Sequence, residues 1–362
     1  MQDSHVVKFT PLTAIIGNNG SGKSSFIEGL EALYKIVQLG LDEAMQDWHG
    51  LEHIHNKVDE PKFQSNPRGG NSLDSFRPRF SNPVSFEING THNLSKFSAS
   101  MSVNAGSNYD QIFIEDEKID IKNSYSESRN TTKERISDGK SIVSISPLRN
   151  YFDKWQFVSF NPQKMGEAIA KKRTGGDVRL SKDGTNIAEY LLSIYNLDQL
   201  AFQGILETLE FILPYARDLQ PTLTSELERA VYLQLTERKI KIPGWLLSTG
   251  TLRLVALLAV LRHPAPPSLL IVEEIENGLD PRTINLIVDE IRSAVQSGRT
   301  QVIVTTHSPY LLDLLELDQI ILVERQNSEP VFSRPIDNAS LTEWAKTFSP
   351  GKLYTMNKFG TG

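Results

Sequence analysis

Short apolar runs alternate with stretches of helical spacing at both ends of this chain, and the middle follows a different rhythm. Leu12 to Ile16 is apolar except for Thr13, the pattern of a strand covered on both faces. Phe26, Ile27, Leu30, Leu33 and Tyr34 then recur at the spacing of a helix, so Val6 to Val37 reads strand, loop, helix. After Pro243 and Gly244 the alternation returns. A helix is predicted over Leu252 to Leu261, a strand over Leu269 to Val272 and a helix over Thr283 to Val295. A strand over Gln301 to Thr305, a short helix around Pro309 to Leu315 and a strand over Gln319 to Val323 follow. Apolar strands separated by helices predict an α/β fold with a mostly parallel core sheet.

The middle predicts two other modules. Val84 to Ile88, Phe97 to Val103 and Gln111 to Ile121 alternate in polarity between polar turns, as an antiparallel sheet does. Asp47 to Arg79 is a polar insertion, and the charged, Ser-rich Asn123 to Lys140 reads as a mobile loop. Gln156 to Phe160 is a further strand, ending at Asn161 and Pro162. Ile187 to Tyr195, Leu200 to Leu213 and Glu226 to Leu235 are helical by spacing, punctuated by Pro214 and Pro221. They are too short for a long coiled coil and suggest a compact arm that docks a partner.

Composition narrows the class only modestly. The chain has 362 residues, 39% hydrophobic and 23% charged, like an ordinary soluble globular protein. It lacks cysteine, which removes disulfides and thiolate metal sites and fits a cytoplasmic setting. No signal segment opens it, and the apolar run Leu252 to Leu261 is too short to span a bilayer, so no membrane association is expected. A net charge of −6 disfavours indiscriminate nucleic-acid binding. Lys171, Lys172 and Arg173, with Arg179 and Lys182 nearby, remain a candidate nucleic-acid contact against the alternative of a solvated loop. His49, His53 and His55 invite a metal reading, but nothing fixes their geometry and a polar loop accounts for them.

The chemistry begins directly after the first strand. Gly17, Asn18, Asn19, Gly20, Ser21, Gly22, Lys23, Ser24 and Ser25 fit the P-loop pattern in full. Glycines permit a tight turn that aims backbone N–H groups at a triphosphate. Lys23 would reach the β- and γ-phosphates, Ser24 would ligate Mg²⁺, and the helix start would face the anion. The strand Leu269 to Val272 ends in Glu273 and Glu274. Acids at the carboxyl edge of a parallel sheet lie where magnesium and water meet the nucleotide. Glu273 would serve the Mg²⁺ shell, and Glu274 would orient or deprotonate the attacking water. Ser248, Thr249 and Gly250 stand at a helix start, able to present donors to a γ-phosphate. A polar turn runs from Glu276 to Pro281, and His307 ends the next strand at the same sheet edge.

This ordered set resembles the ABC-type ATPases, and within them the soluble branch of SMC, RecF-like and OLD-type proteins. The resemblance covers roughly Phe9 to Leu39 and Leu246 to Val323. It implies a P-loop fold of ABC/SMC-head type, with Gly17 to Ser25 as Walker A, Leu247 to Gly250 as the signature and Leu269 to Glu274 as Walker B. Gly278, Leu279 and Asp280 correspond to the D-loop, His307 to the switch histidine and Gln163 to a Q-loop magnesium contact. The run from Glu273 to Leu279 looks like the AAA-21 and AAA-15 group of stand-alone ATPases, many encoded in antiphage loci. Glu273 replaces the commoner aspartate, and Ile275 stands where that group often has proline. Only Met1 to Lys8 precede the loop strand, where relatives begin with an extra strand. The roughly forty residues after Val323 are too few for a TOPRIM nuclease domain.

The resemblance implies one ATPase domain over residues 1–362. Lobe I would span about 1–160 with a β insertion at about 80–122, and a helical insertion about 163–243. Lobe II would span about 244–325, and a C-terminal extension about 326–362. It implies a homodimer or higher homo-oligomer closed head to tail by ATP and Mg²⁺, with Ser248 and Gly250 of one copy completing the other's site. The expected function is an ATPase that controls a separately encoded effector, such as a nuclease, in prokaryotic antiviral defence. A RecF/SMC-like repair ATPase and a non-hydrolysing nucleotide-gated scaffold are the alternatives.

Overall fold

The computed structural model describes residues 6–48, 50–51, 63–64, 79–80, 82–92, 94–106, 109, 111–130, 139–170, 177–224, 229–326 and 329–359. Two compact units divide the chain. One comprises Ser24 to Trp155; the other joins the stretch up to Lys23 with everything from Gln156 onward.

The second unit is built on a six-stranded sheet of β1 (Leu12–Ile16), β2 (Trp155–Val158), β3 (Leu269–Val272), β4 (Gln301–Thr305), β5 (Ile320–Gln326) and β6 (Glu329–Ser333), in the order β6-β5-β1-β4-β3-β2. β1 pairs in parallel with β4 and β5, and β3 in parallel with β4. The register sets Ile15 opposite Thr305 and Val272 opposite Val304, so the carboxyl ends of β1, β4 and β3 finish nearly flush. Every residue of β1 and β3 is buried, which is why their sequences are continuous apolar runs rather than alternations. The edge strand β6 pairs antiparallel with β5. It was not expected, and Pro330 within it suits an edge that forms no complete ladder.

α1 (Lys23–Leu39) follows the loop after β1. α2 (Thr249–Leu261) is buried over nearly its whole circumference from Thr251 onward, as a central helix must be. α3 (Pro281–Gln296) has an Asp280 N-cap, proline at its first position and a buried stripe of Ile284, Ile287, Val288 and Ile291. The short α4 (Pro309–Leu312) and α5 (Pro350–Thr355) come later in the chain.

The arm between β2 and α2 is mixed rather than wholly helical. Ile187–Leu197 and Gln199–Ile212 form helices as expected. The stretch read as a helix over Glu226 to Leu235 instead contains the strand Ala230–Glu237, paired antiparallel with Ala216–Leu223 and Ile240–Pro243. Val231, Leu233 and Leu235 are buried at every second position. That two-residue period, with β-branched and aromatic neighbours, outweighs the helical spacing.

The first unit carries the expected antiparallel meander. Val84–His92, Ser95–Ala105, Ile112–Ile121 and Tyr125–Asn130 pair in sequence order. The fourth strand corrects the loop reading of Asn123 to Lys140 over its described part. Asn123 takes φ 62° at the hairpin, and the strand then supplies Arg129 to the buried Glu117 at 2.7 Å. Ser141 Oγ and the Ile142 N–H also donate to that carboxylate, at 2.5 and 2.9 Å. Burial still pushes its pKa upward, against those donors.

Candidate nucleotide site

The turn after β1 is a closed backbone cradle. Gly17 has φ 149°, and a Cβ there would lie 2.1 Å from the Val323 carbonyl oxygen of β5. No other residue fits that approach. Lys23 folds back over the loop, donating from Nζ to the carbonyls of Gly17 at 2.7 Å and Asn18 at 3.1 Å. Burial lowers its pKa, and the charge of Glu274 acts in the opposite sense. Ser21 is buried, and its Oγ has no hydrogen-bond partner among the described residues. A buried hydroxyl without a partner is uncommon. It marks a loop with hydrogen-bonding capacity left for an anion such as phosphate.

Acidic residues and a histidine stand at the adjacent ends of β3 and β4. The Glu273 N–H donates to the Val158 carbonyl at 3.0 Å, which fixes the end of β3 against β2. Glu274 is exposed and held at φ 47°, outside the usual range for a non-glycine residue. Its N–H donates to Thr305 Oγ1 at 2.8 Å, and the Asn277 amide donates to its carboxylate. The neighbouring Ile275 N–H donates to the Thr305 carbonyl at 3.3 Å, and the Thr306 N–H to the Ile15 carbonyl at 3.3 Å. Glu276 Oε1 accepts the N–H of His307 at 2.6 Å. The P-loop strand, the acid-bearing strand and the histidine-bearing strand are thus cross-linked at one edge.

The signature residues start α2. Ser248 is the N-cap, its Oγ accepting from the Thr251 N–H at 3.1 Å and lying 2.8 Å from Thr251 Oγ1. Ser248 and Thr249 are exposed. A Cβ on Gly250 would come within 2.4 Å of the Gly278 carbonyl, so the signature turn sits directly on the turn of Gly278, Leu279 and Asp280. Asp280 caps α3 through Arg282 and Thr283, and the Thr283 hydroxyl holds its carboxylate below the usual range.

Several side chains not picked out for the site belong to this edge. Arg253, one turn into α2, donates to the Phe160 carbonyl at 3.1 Å and faces Glu274 and Glu276, while burial lowers its pKa. Lys182 was grouped with a basic patch, yet its Nζ lies 4.0 Å from Glu273 Oε1. Glu276 stood in the acidic run that was read, with no role attached. Gln163 is exposed on the short helix Pro162–Met165. His49, His53, His55, Lys171, Lys172 and Arg173 lie outside the described residues. Among the described residues no group of three or more His, Asp or Glu side chains could hold a metal ion, and no helix is long and apolar enough to cross a membrane.

Comparison with known proteins places this geometry in a family. A family model described as "AAA domain, putative AbiEii toxin, Type IV TA system" matches residues 12–313. A crystal structure of the SMC head bound to the C-winged helix domain of ScpA matches with a TM-score of 0.50 and 13% identity, over 90% of this chain and 91% of that one. The SMC head domain from Thermotoga maritima matches with a TM-score of 0.43 and 14% identity, over 91% and 92%. No curated protein matches the chain. With most of its length matched by the family and with the core sheet and loop described above, the chain belongs to the AAA_21 family and has a P-loop ATPase fold of ABC/SMC-head type.

Proposed function

We propose that this chain, as one ATPase domain over residues 1–362, hydrolyses ATP between two copies arranged head to tail and thereby controls a separately encoded effector in prokaryotic antiviral defence, in the cytoplasm. The observation that carries the reading is the shared edge of β1, β4 and β3, where the Gly17 to Lys23 loop, Glu274 and His307 follow three adjacent parallel strands. Lys23, now on the carbonyls of Gly17 and Asn18, exchanges them for β- and γ-phosphate oxygens. The loop N–H groups through Ser25 and the unpartnered Ser21 hydroxyl supply further donors. Ser24, Glu273 and Gln163 are the oxygen donors assigned to magnesium, a set that suits a hard cation. When bound, that ion neutralises charge on the phosphates.

Glu274 takes the proton of the attacking water, its carboxylate oriented by the Asn277 amide. His307 senses the γ-phosphate from the next strand end. Ser248, Thr249 and Gly250 act on the nucleotide of the second copy, for which the exposure of Ser248 and Thr249 at the start of α2 leaves them available. The family description, which names a toxin of a toxin–antitoxin system, supports a role exercised on or through a partner. Phosphate release and calorimetric ATP binding test the core of the reading. Lys23→Ala is expected to weaken ATP binding by about 100-fold and abolish turnover. Unchanged hydrolysis in that variant would contradict it.

A further inference from the structure

Glu276 has no part in the reaction just proposed, yet it joins the turn after β3 to the end of β4. Its Oε1 accepts the His307 N–H at 2.6 Å, a short bond of the charge-assisted kind. Its main-chain carbonyl accepts the Leu279 N–H at 3.0 Å, which closes the turn of Gly278 to Asp280. Its second oxygen, Oε2, is buried without a hydrogen-bond partner among the described residues. An apolar residue would avoid that penalty, and the His307 N–H is what the carboxylate holds in return.

The histidine loop is braced from its other end by α5. Gly351 packs so closely on Pro309 that a Cβ would lie 2.1 Å from the Pro309 carbonyl oxygen, and its N–H donates to Asp313 Oδ1 at 2.7 Å. Tyr354 of the same helix is half-buried near Glu276: burial raises its pKa and the Glu276 charge raises it further. His307 therefore sits between a clamp on its own N–H and a brace beginning two residues later.

We propose that Glu276 is a positioning residue for His307, fixing the histidine backbone to the turn after β3 and so aligning it with Glu274. The proposal rests on the ATPase reading above and adds a residue to it. A displacement of about 1 Å in such a group can cost on the order of 100-fold in rate. The test compares Glu276→Ala and Glu276→Gln with the unaltered protein in three measurements. These are Mg-ATP turnover, ATP affinity by calorimetry, and the ¹³C–¹H imidazole signals of His307 in nucleotide-free protein, assigned with His307→Gln.

Glu276→Ala is expected to lower turnover roughly 10- to 100-fold with affinity changed less than about twofold, and to shift the His307 signals. Glu276→Gln, whose amide oxygen accepts the same N–H, should stay within about threefold of the unaltered rate, with those signals in place. If Glu276→Ala does not fold, Glu276→Asp, too short to reach the N–H, replaces it. Unchanged turnover, equal damage in the glutamine variant, or unmoved His307 signals would overturn the proposal. If the unaltered protein shows no turnover, the ATPase reading fails, and the imidazole signals still decide the clamp.

Discussion

The P-loop and the turn of Ser248 to Gly250, both assigned to phosphate in the proposed function, differ in how their side chains are held. In the P-loop Gly17, Ser21 and Lys23 are buried, with Lys23 hydrogen-bonded to loop carbonyls and Gly17 against β5, while Asn18, Asn19, Gly20, Ser24 and Ser25 are exposed. The signature turn faces outward, with Ser248 and Thr249 exposed beside Trp245 at 50% and Leu246 at 69% exposure. It is held inward by Gly250 on the carbonyl of Gly278 and by the Ser248 hydroxyl on Thr251. A first turn anchored by buried side chains and a second turn with its hydroxyls exposed are what the proposed shared site would ask of its two halves. Exposed apolar side chains next to that polar turn suit the surface that the proposed second copy would cover.

The contrast can be broken most strongly at Gly250. Gly250→Ala forces a methyl group into the Gly278 carbonyl, and is expected to cost about 1–3 kcal/mol in urea denaturation together with most of the turnover. Unaltered stability would show that the two turns are not locked. Ser248→Ala removes the α2 cap, a loss of about 1 kcal/mol. Its more telling effect is complementation: mixed with Lys23→Ala, it should recover turnover that neither variant has alone, because one of the two composite sites is then intact. Failure to recover would place both turns in the service of one chain.

The smallest effect is at Asp280, where Asp280→Ala should also cost about 1 kcal/mol. Here the folded-state pKa lies below the unfolded value. The contribution is therefore present above the ordinary carboxylate pKa and is lost as pH falls through the folded value. The two proteins should converge in stability on acidification, which a pH series of melting curves would check.

The core sheet and the residues of the candidate site were legible in the sequence for a physical reason, and the arm was not. Phosphate chemistry restricts residue type at fixed spacing, so Gly17 to Ser25, Glu273 and Glu274, and His307 could be read from short windows, and the structure places their strands side by side. The arm strand Ala230–Glu237 was misread because a short apolar run satisfies two periods at once, and pairing with Ala216–Leu223 decides between them. Glu276 and Lys182 carried no local signal. Their significance is the atoms they meet, the His307 N–H and the Glu273 carboxylate, both distant in sequence. Arg253 was likewise invisible until α2 placed it opposite Glu274 and Glu276.

The central claim is that two copies close on shared nucleotide. The solution mass of Glu274→Gln, measured by light scattering with saturating Mg-ATP and again without nucleotide, tests it most directly. The account predicts twice the chain mass of 40.6 kDa with nucleotide, and a single chain when Lys23→Ala is added. A Glu274→Gln protein that binds Mg-ATP and keeps the mass of one chain would contradict it.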